Sequence, residues 1–321
     1  MLNRMYQTAD TMRLFRIFLS YLFLFALIAC AGGKAAHDRP DPAEPAVNEL
    51  GRGIGWYEQG CYHKALDHLL RAHELFTAID EVPGVAACLN NIGNVYAKIG
   101  DPESAMLFFD ASHDLYGDLG DDGGAVQVMA NKAALLIREN RQHEAQATLA
   151  AAEETADRNG ITSVSLLKSR GMLMAAQQKT AEAERLFGEA LEAADPESYA
   201  TTGALHYALG NVMAETGRYD EGIAHYRKAL DADRKTGFHS GIADDLSALG
   251  TLYQKRGEHA AASACFQRSI KIYALMGDGE KVTQSLEKLE VSVGEAGVDT
   301  AVTKHFVNRW LNGNIRTSLC Q

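Results

Sequence analysis

Small residues return along this chain on a period close to forty, and no other feature restricts its fold as much. Gly53, Gly93, Ala133, Gly171, Gly210 and Gly250 follow one another at intervals of 40, 40, 38, 39 and 40 residues. Twelve positions after each stands Ala65, Ala105, Ala145, Ala183, Gly222 or Ala262, and seven beyond that Ala72, Ser112, Ala152, Ala190, Ala229 or Ser269. Between those two lies a large apolar residue each time: Leu69, Phe109, Leu149, Phe187, Tyr226 or Phe266. Three positions after the first small residue come Trp56, Tyr96, Leu136, Met174, Met213 and Tyr253. A glycine inside a helix costs roughly 1 kcal/mol relative to alanine. Its return at a fixed phase therefore answers to packing, and periods of this length mark stacked supersecondary units.

Each unit reads as a helix, a tight turn and an antiparallel second helix. Small residues where the two helices cross let the backbones approach; Gly93 is expected to meet Ala105 there. Gly60, Gly100, Gly217 and Gly257 would end first helices in a left-handed conformation that glycine adopts cheaply. Asn140 and Gln178 hold that position in two units; asparagine tolerates the conformation and glutamine less well, so the fourth turn stays open. Only 6 prolines and a content of 46% hydrophobic residues fit an all-helical chain.

The pattern resembles the tetratricopeptide repeat in its longer variety, over residues 46–279. The resemblance implies an all-α, right-handed superhelical solenoid of six helix hairpins. Residues 280–313 keep an apolar stripe (Leu286, Leu289, Val302, Phe306, Trp310) but lose the small residues, with Glu290 and Arg309 in their places. They are expected to form a degenerate capping helix pair that covers the last unit, as stacked repeats require. Residues 314–321 are expected to be a flexible tail.

The first thirty residues stand apart. "MRLFRIFLSYLFLFALIAC", Met12 to Cys30, places Arg13 and Arg16 before an apolar run from Ile17 to Ala29. That run falls short of the ~20 residues a spanning helix needs and suits a secretory signal, with Met12 an alternative start to Met1. Its end, "LIAC", resembles the lipobox of bacterial lipoproteins. The resemblance implies a lipid on the Cys30 sulfur and cleavage before it; several acyl chains then give lasting membrane attachment. Ala31 after the cysteine implies delivery to the outer membrane, facing the periplasm. The alternative is an ordinary signal with an incidental cysteine, or an uncleaved anchor. Residues 31–45, with Pro40, Pro42 and Pro45, read as a disordered tether.

Charge and motifs narrow the function. The net charge is -11 and no Lys/Arg cluster stands out along the sequence, which argues against nucleic acid as a partner. None of the 11 histidines falls in an HxxxH or HExxH arrangement, and phosphate loops, nucleophile elbows and dinucleotide fingerprints are missing. The "GRGIG" at Gly51–Gly55 lies within the first helix by register. No catalytic residue, metal site or cofactor is assigned. First helices of stacked hairpins line a concave groove, whose candidate residues are Asn90, Asn91, Asn94, Asn131, Arg138, Lys168, Ser169, Tyr207 and Asn211. Asparagine amides offer a donor and an acceptor to an extended main chain, and the resemblance adds that protein or peptide binding is the family's usual work. Asn91 and Asn131 could equally bridge neighbouring helices. The family's two-carboxylate clamp is incomplete here.

The expected function is therefore a lipid-anchored envelope scaffold that binds a protein or peptide, with a role in envelope or pilus assembly. The alternatives are a self-associating structural module and an enzyme whose site no motif reveals; the oligomeric state is left open. Among the cysteines, the register places Cys61 and Cys88 at opposite ends of a helix pair, beyond the ~7 Å reach of a disulfide. Cys88 and Cys265 read as buried packing residues, and Cys320 as either free or linking two molecules.

Overall fold

The computed structural model describes residues 41–297, 299–312 and 320. The signal segment with Cys30, and most of the tether, lie outside them. Fourteen helices run in order among the described residues: α1 (Glu44–Glu58), α2 (Tyr62–Ala78), α3 (Val82–Ile99), α4 (Pro102–Leu119), α5 (Asp122–Arg138), α6 (Gln142–Asn159) and α7 (Val164–Ala176). They continue as α8 (Thr180–Ala193), α9 (Tyr199–Glu215), α10 (Tyr219–Thr236), α11 (His239–Lys255), α12 (His259–Met276), α13 (Gly279–Ala296) and α14 (Ala301–Leu311). No strand occurs among them. Successive helices pair as hairpins, and the hairpins stack into a solenoid.

The recurring glycines lie at the helix crossings. A Cβ built on Gly93 would stand 2.7 Å from the Phe109 ring, against 3.3 Å from the Ala105 carbonyl oxygen. The expected close approach to Ala105 is thus real for its backbone, but the aromatic ring is the nearer neighbour. Gly53 faces Leu69 at 2.7 Å, and Gly171, Gly210 and Gly250 face Phe187, Tyr226 and Phe266 at 2.6 Å each. A side chain there would displace the large residue that seals its own hairpin. Phe109, Phe187 and Phe266 are fully buried.

Turns follow the same rule from unit to unit. Gly60, Gly100, Gly217 and Gly257 adopt φ between 76° and 86°. Asn140 takes φ 57° and Gln178 takes φ 61°, so the fourth turn forms in the same left-handed conformation without glycine. Asp101, Asp121, Ser163 and Asp278 cap the helices they precede, each accepting from a backbone N–H three residues on.

Two expectations at the C-terminus are corrected. In α14 the buried residues are Thr303 and Val307, while Val302 is 61% and Phe306 38% exposed. The apolar stripe is thus rotated by one position from its sequence reading; Leu289 is buried and Leu286 and Trp310 pack partly. Cys320 is neither free nor intermolecular: it forms a disulfide with Cys61 of the same chain, across a separation of 259 residues. Cys88 and Cys265 are reduced and buried.

That bridge coincides with a contact between the ends of the solenoid. The first hairpin's turn, at Gly60, lies against the Phe238 ring between α10 and α11; a Cβ on Gly60 would be 3.2 Å from it. Gln59 likewise approaches Gly237. The stack curves until its first turn touches the joint between units five and six.

Candidate functional site: the inner wall

Odd-numbered helices lie beside one another along the inside of the curve, as α5 beside α7. Two clefts open between them. One, of about 320 Å³, lies among α9, α11 and α13 and is lined by Tyr207, Asp244, Thr251, Lys255, Lys281 and Lys288. The other, of about 420 Å³, lies among α5, α7 and α9 and is mostly apolar, with Met172, Ala175, Ala208 and Asn211 on its walls.

The candidates named from sequence divide into two groups. Asn90 is buried and its Oδ1 accepts from Asn131 Nδ2 at 3.0 Å, tying α3 to α5. Gln127 Nε2 donates to Asn131 Oδ1 at 3.3 Å and to Ser165 Oγ at 2.8 Å, extending that bridge to α7. Asn91 Nδ2 donates to the Ala87 carbonyl one turn back at 2.8 Å. Buried Ser169 donates to the Ala130 carbonyl at 2.8 Å. Asn90, Asn131 and Ser169 thus hold neighbouring helices together, while Asn91 is bonded within its own helix. Asn94 on α3, Arg138 at the end of α5, Lys168 on α7, Tyr207 on α9 and exposed Asn211 remain on the accessible wall. Asn211 Oδ1 accepts from Tyr226 Oη at 2.6 Å, leaving its amide nitrogen available.

The structure adds charged groups that the sequence did not mark. Lys98 ends α3 one residue from Ile99 and faces the same space as Arg138 and Lys168. Its pKa is pushed below the ordinary lysine range, first by desolvation between the walls and then by the Arg138 and Lys168 charges. Lys98 keeps contact with water at its surface; what the walls remove is the surrounding bulk solvent. Desolvation also lowers Lys168. Across the channel, Asp244 accepts from Tyr273 Oη at 2.6 Å and from Lys281 Nζ at 2.7 Å. Tyr62 is pushed up to about 12, by burial first and then by Asp244. Tyr57 rises for the first of these reasons, and the Arg138 charge moderates both tyrosines. Groups from units one, three and six thus share one electrostatic environment, which the curvature of the stack explains.

Among the described residues no group of three or more His, Cys, Asp or Glu is arranged to hold a metal ion. The closest histidines, His206 and His225, have Nδ1 atoms 3.1 Å apart. Partial burial and, for His206, the His225 charge keep both below the ordinary imidazole range, His206 at about 4.

With the hairpins and inner wall in view, the sequence profile of the tetratricopeptide repeat matches residues 51–118 and 201–274. Over those residues the chain is built from tetratricopeptide repeats. Solved structures of this fold align with much of the chain. The Rap conjugation gene regulator of plasmid pLS20, in complex with the Phr* peptide, aligns with TM-score 0.54 at 18% identity, covering 81% of this chain and 74% of that one. BtubC from P. vanneervenii gives TM-score 0.51 at 19% identity over 69% of this chain and 92% of that one. A signal-transduction ATPase with a tetratricopeptide repeat sensor, from Pyrococcus horikoshii, gives 0.57 at 15% identity over 85% and 42%. No curated protein matches the sequence. At these identities the likeness concerns the fold, and tetratricopeptide folds serve as scaffolds for protein–protein interaction.

Proposed function

We propose that this repeat protein binds an extended segment of a protein partner along its inner wall, while a lipid on Cys30 holds it at the bacterial cell envelope, on the outer membrane facing the periplasm. The observation that carries the groove reading is an inner wall with open clefts and uncommitted polar side chains. Among the described residues the side chains of Asn94, Lys98 and Lys168 and the Asn211 amide nitrogen have no hydrogen-bond or ion-pair partner, and the rings of Tyr226 and, packed against it, Tyr207 lie beside Asn211. A main chain laid along this wall would find donors and acceptors at the spacing of successive units. The Rap regulator of like fold was solved with a peptide, which supports the same use of the stack here. The chemistry assigned to Cys30 is the thioether attachment that the "LIAC" box implies.

The test places a photo-crosslinking residue at Asn94, on the inner wall, or at Leu107, which is 67% exposed on α4. The inner position should capture a separate polypeptide and the outer one should not. Capture of only a second copy of this chain would replace the proposal with self-association. For the anchor, Cys30→Ser should abolish labelling by a fatty-acid probe, and a labelled variant would exclude this residue as the attachment point.

A further inference from the structure

We propose that the segment bound in the groove is acidic, its carboxylates taken up by Lys98, Arg138 and Lys168; this rests on the peptide-groove reading above. The three cations come from the neighbouring inner helices α3, α5 and α7: Arg138 Nη2 bonds the carbonyl of Ala97 beside Lys98, α5 packs against the α7 that carries Lys168, and the charges of Arg138 and Lys168 both act on Lys98. Among the described residues none of them has a carboxylate within ion-pair distance, whereas Lys132, Arg170, Arg218 and Lys281 all do. The chain holds 42 acidic against 31 basic residues, so three neighbouring cations without a counter-charge depart from its overall composition.

The one acid that acts on the cluster, Asp244, is already committed to Tyr273 and Lys281. Arg138 uses one N–H on the Ala97 carbonyl at 2.5 Å, which leaves guanidinium donors facing the channel. Like charges held together with bulk water partly excluded repel one another more strongly than they would on an open surface. A ligand carrying negative charge removes that repulsion; a neutral or basic one leaves or increases it. Two further features favour a peptide as the source of the charge. The cations stand in a wall that also presents Asn94 and the Asn211 amide, groups suited to a main chain. Three charges are also few for the phosphate track of a nucleic acid, where each contact adds to the affinity.

The test sorts a random decapeptide display library on the full chain. Recovered peptides should be enriched in Asp and Glu over the starting library. That enrichment should vanish when Lys98→Gln, Arg138→Gln and Lys168→Gln are combined. It should survive Lys228→Gln on the second helix α10, which removes the same charge elsewhere. For the tightest recovered peptide, Lys168→Gln alone should weaken binding about tenfold, and raising the salt should do so progressively. Because the cations repel each other, the triple variant should melt no lower than the native chain, which keeps a loss of binding separate from a loss of fold. Peptides recovered without acidic enrichment, or equally by the triple variant, would overturn the acidic assignment and leave the groove standing. If the native chain recovers no peptide, both readings fall.

Discussion

Two joints of this solenoid share one backbone geometry and oppose each other in chemistry. Between units one and two, the Phe76 ring covers Gly84, where an added Cβ would stand 2.4 Å away, and Cys88, four residues on in the same helix, is buried. Between units five and six the same repeat positions hold Asp233, Gly241 and Asp245. Asp233 covers Gly241 as the ring covers Gly84. Both carboxyls are buried, and Asp245 Oδ2 has no hydrogen-bond partner among the described residues. Burial first, and neighbouring acids second, push Asp233 up to about 7 and Asp245 up to about 9. The stack thus needs only a group of suitable shape over a glycine. What that group is decides whether the joint responds to pH.

The sign of that response follows from linkage. An acid whose pKa is raised in the folded state stabilises the fold fully below its ordinary value, here 3.8, and that contribution is lost as pH rises through about 7 and about 9. The first joint is silent over this range, because Phe76 does not titrate and burial raises the Cys88 thiol to about 12. The largest effect should come from transplanting one joint into the other. Phe76→Asp should cost about 3–5 kcal/mol, from lost burial and a desolvated carboxyl. It should also introduce a new fall in stability between pH 5 and pH 8, read by urea unfolding at both. A variant equally destabilised at the two pH values would mean that the chemistry of the covering group does not set the response to pH.

The acidic joint also meets the turn of the first hairpin, through Phe238 on Gly60 and the neighbouring Cys61–Cys320 bridge. Cys61→Ser should cost on the order of 2–5 kcal/mol, and reductant should lower the native chain by a similar amount while leaving the variant unchanged. Hydrogen exchange should rise more in α11, beside the acidic joint, than in α3. Equal acceleration in both helices would mean that the bridge acts on the unfolded chain alone.

Much of this was legible in the sequence, and what was not has a common cause. The crossing glycines could be read because the demand that places them repeats every unit and is met within one hairpin. The inner-wall asparagines could be placed on α3 and α5, but not told apart: whether Asn131 faces Asn90 or a ligand depends on the angle between adjacent units. Cys320, Lys98, Asp244 and the Gly60–Phe238 contact depend on the curvature summed over several units, which no local pattern carries. Asp233 sits in "DADRKTG", which reads as a solvated helix exit; only its alignment with Phe76, Tyr116 and Tyr273 in the repeat register marks the position as an inter-unit contact. The rotated stripe of α14 follows from the missing small residues, since without them nothing fixes the register.

A third substitution acts on the acidic joint directly. Asp245→Asn keeps the shape and removes the ionisation, so it should stabilise the chain by about 1–3 kcal/mol at pH 9. The gain should shrink toward pH 5, where the native carboxyl is already neutral in the folded state. A melting-temperature series from pH 5 to pH 9 measures this. A constant gain would assign the effect to packing.

The smallest effect isolates the backbone from the side chains. Gln178 turns unit four through φ 61° where four other units use glycine. A left-handed conformation costs a residue with a side chain roughly 1–2 kcal/mol, while glycine lowers the cost of the conformation but adds entropy to the unfolded chain. Gln178→Gly should therefore gain only about 0.5–1 kcal/mol. Unlike the gain from Asp245→Asn, it should be the same at pH 5 and pH 9, because the substitution neither adds nor removes an ionisable group. Asn140→Gly, at the same position of the preceding unit, should gain less, since asparagine already tolerates the conformation. If the Gln178 gain grew with pH, the turn would be coupled to the buried acids, and the response to pH could no longer be assigned to one joint.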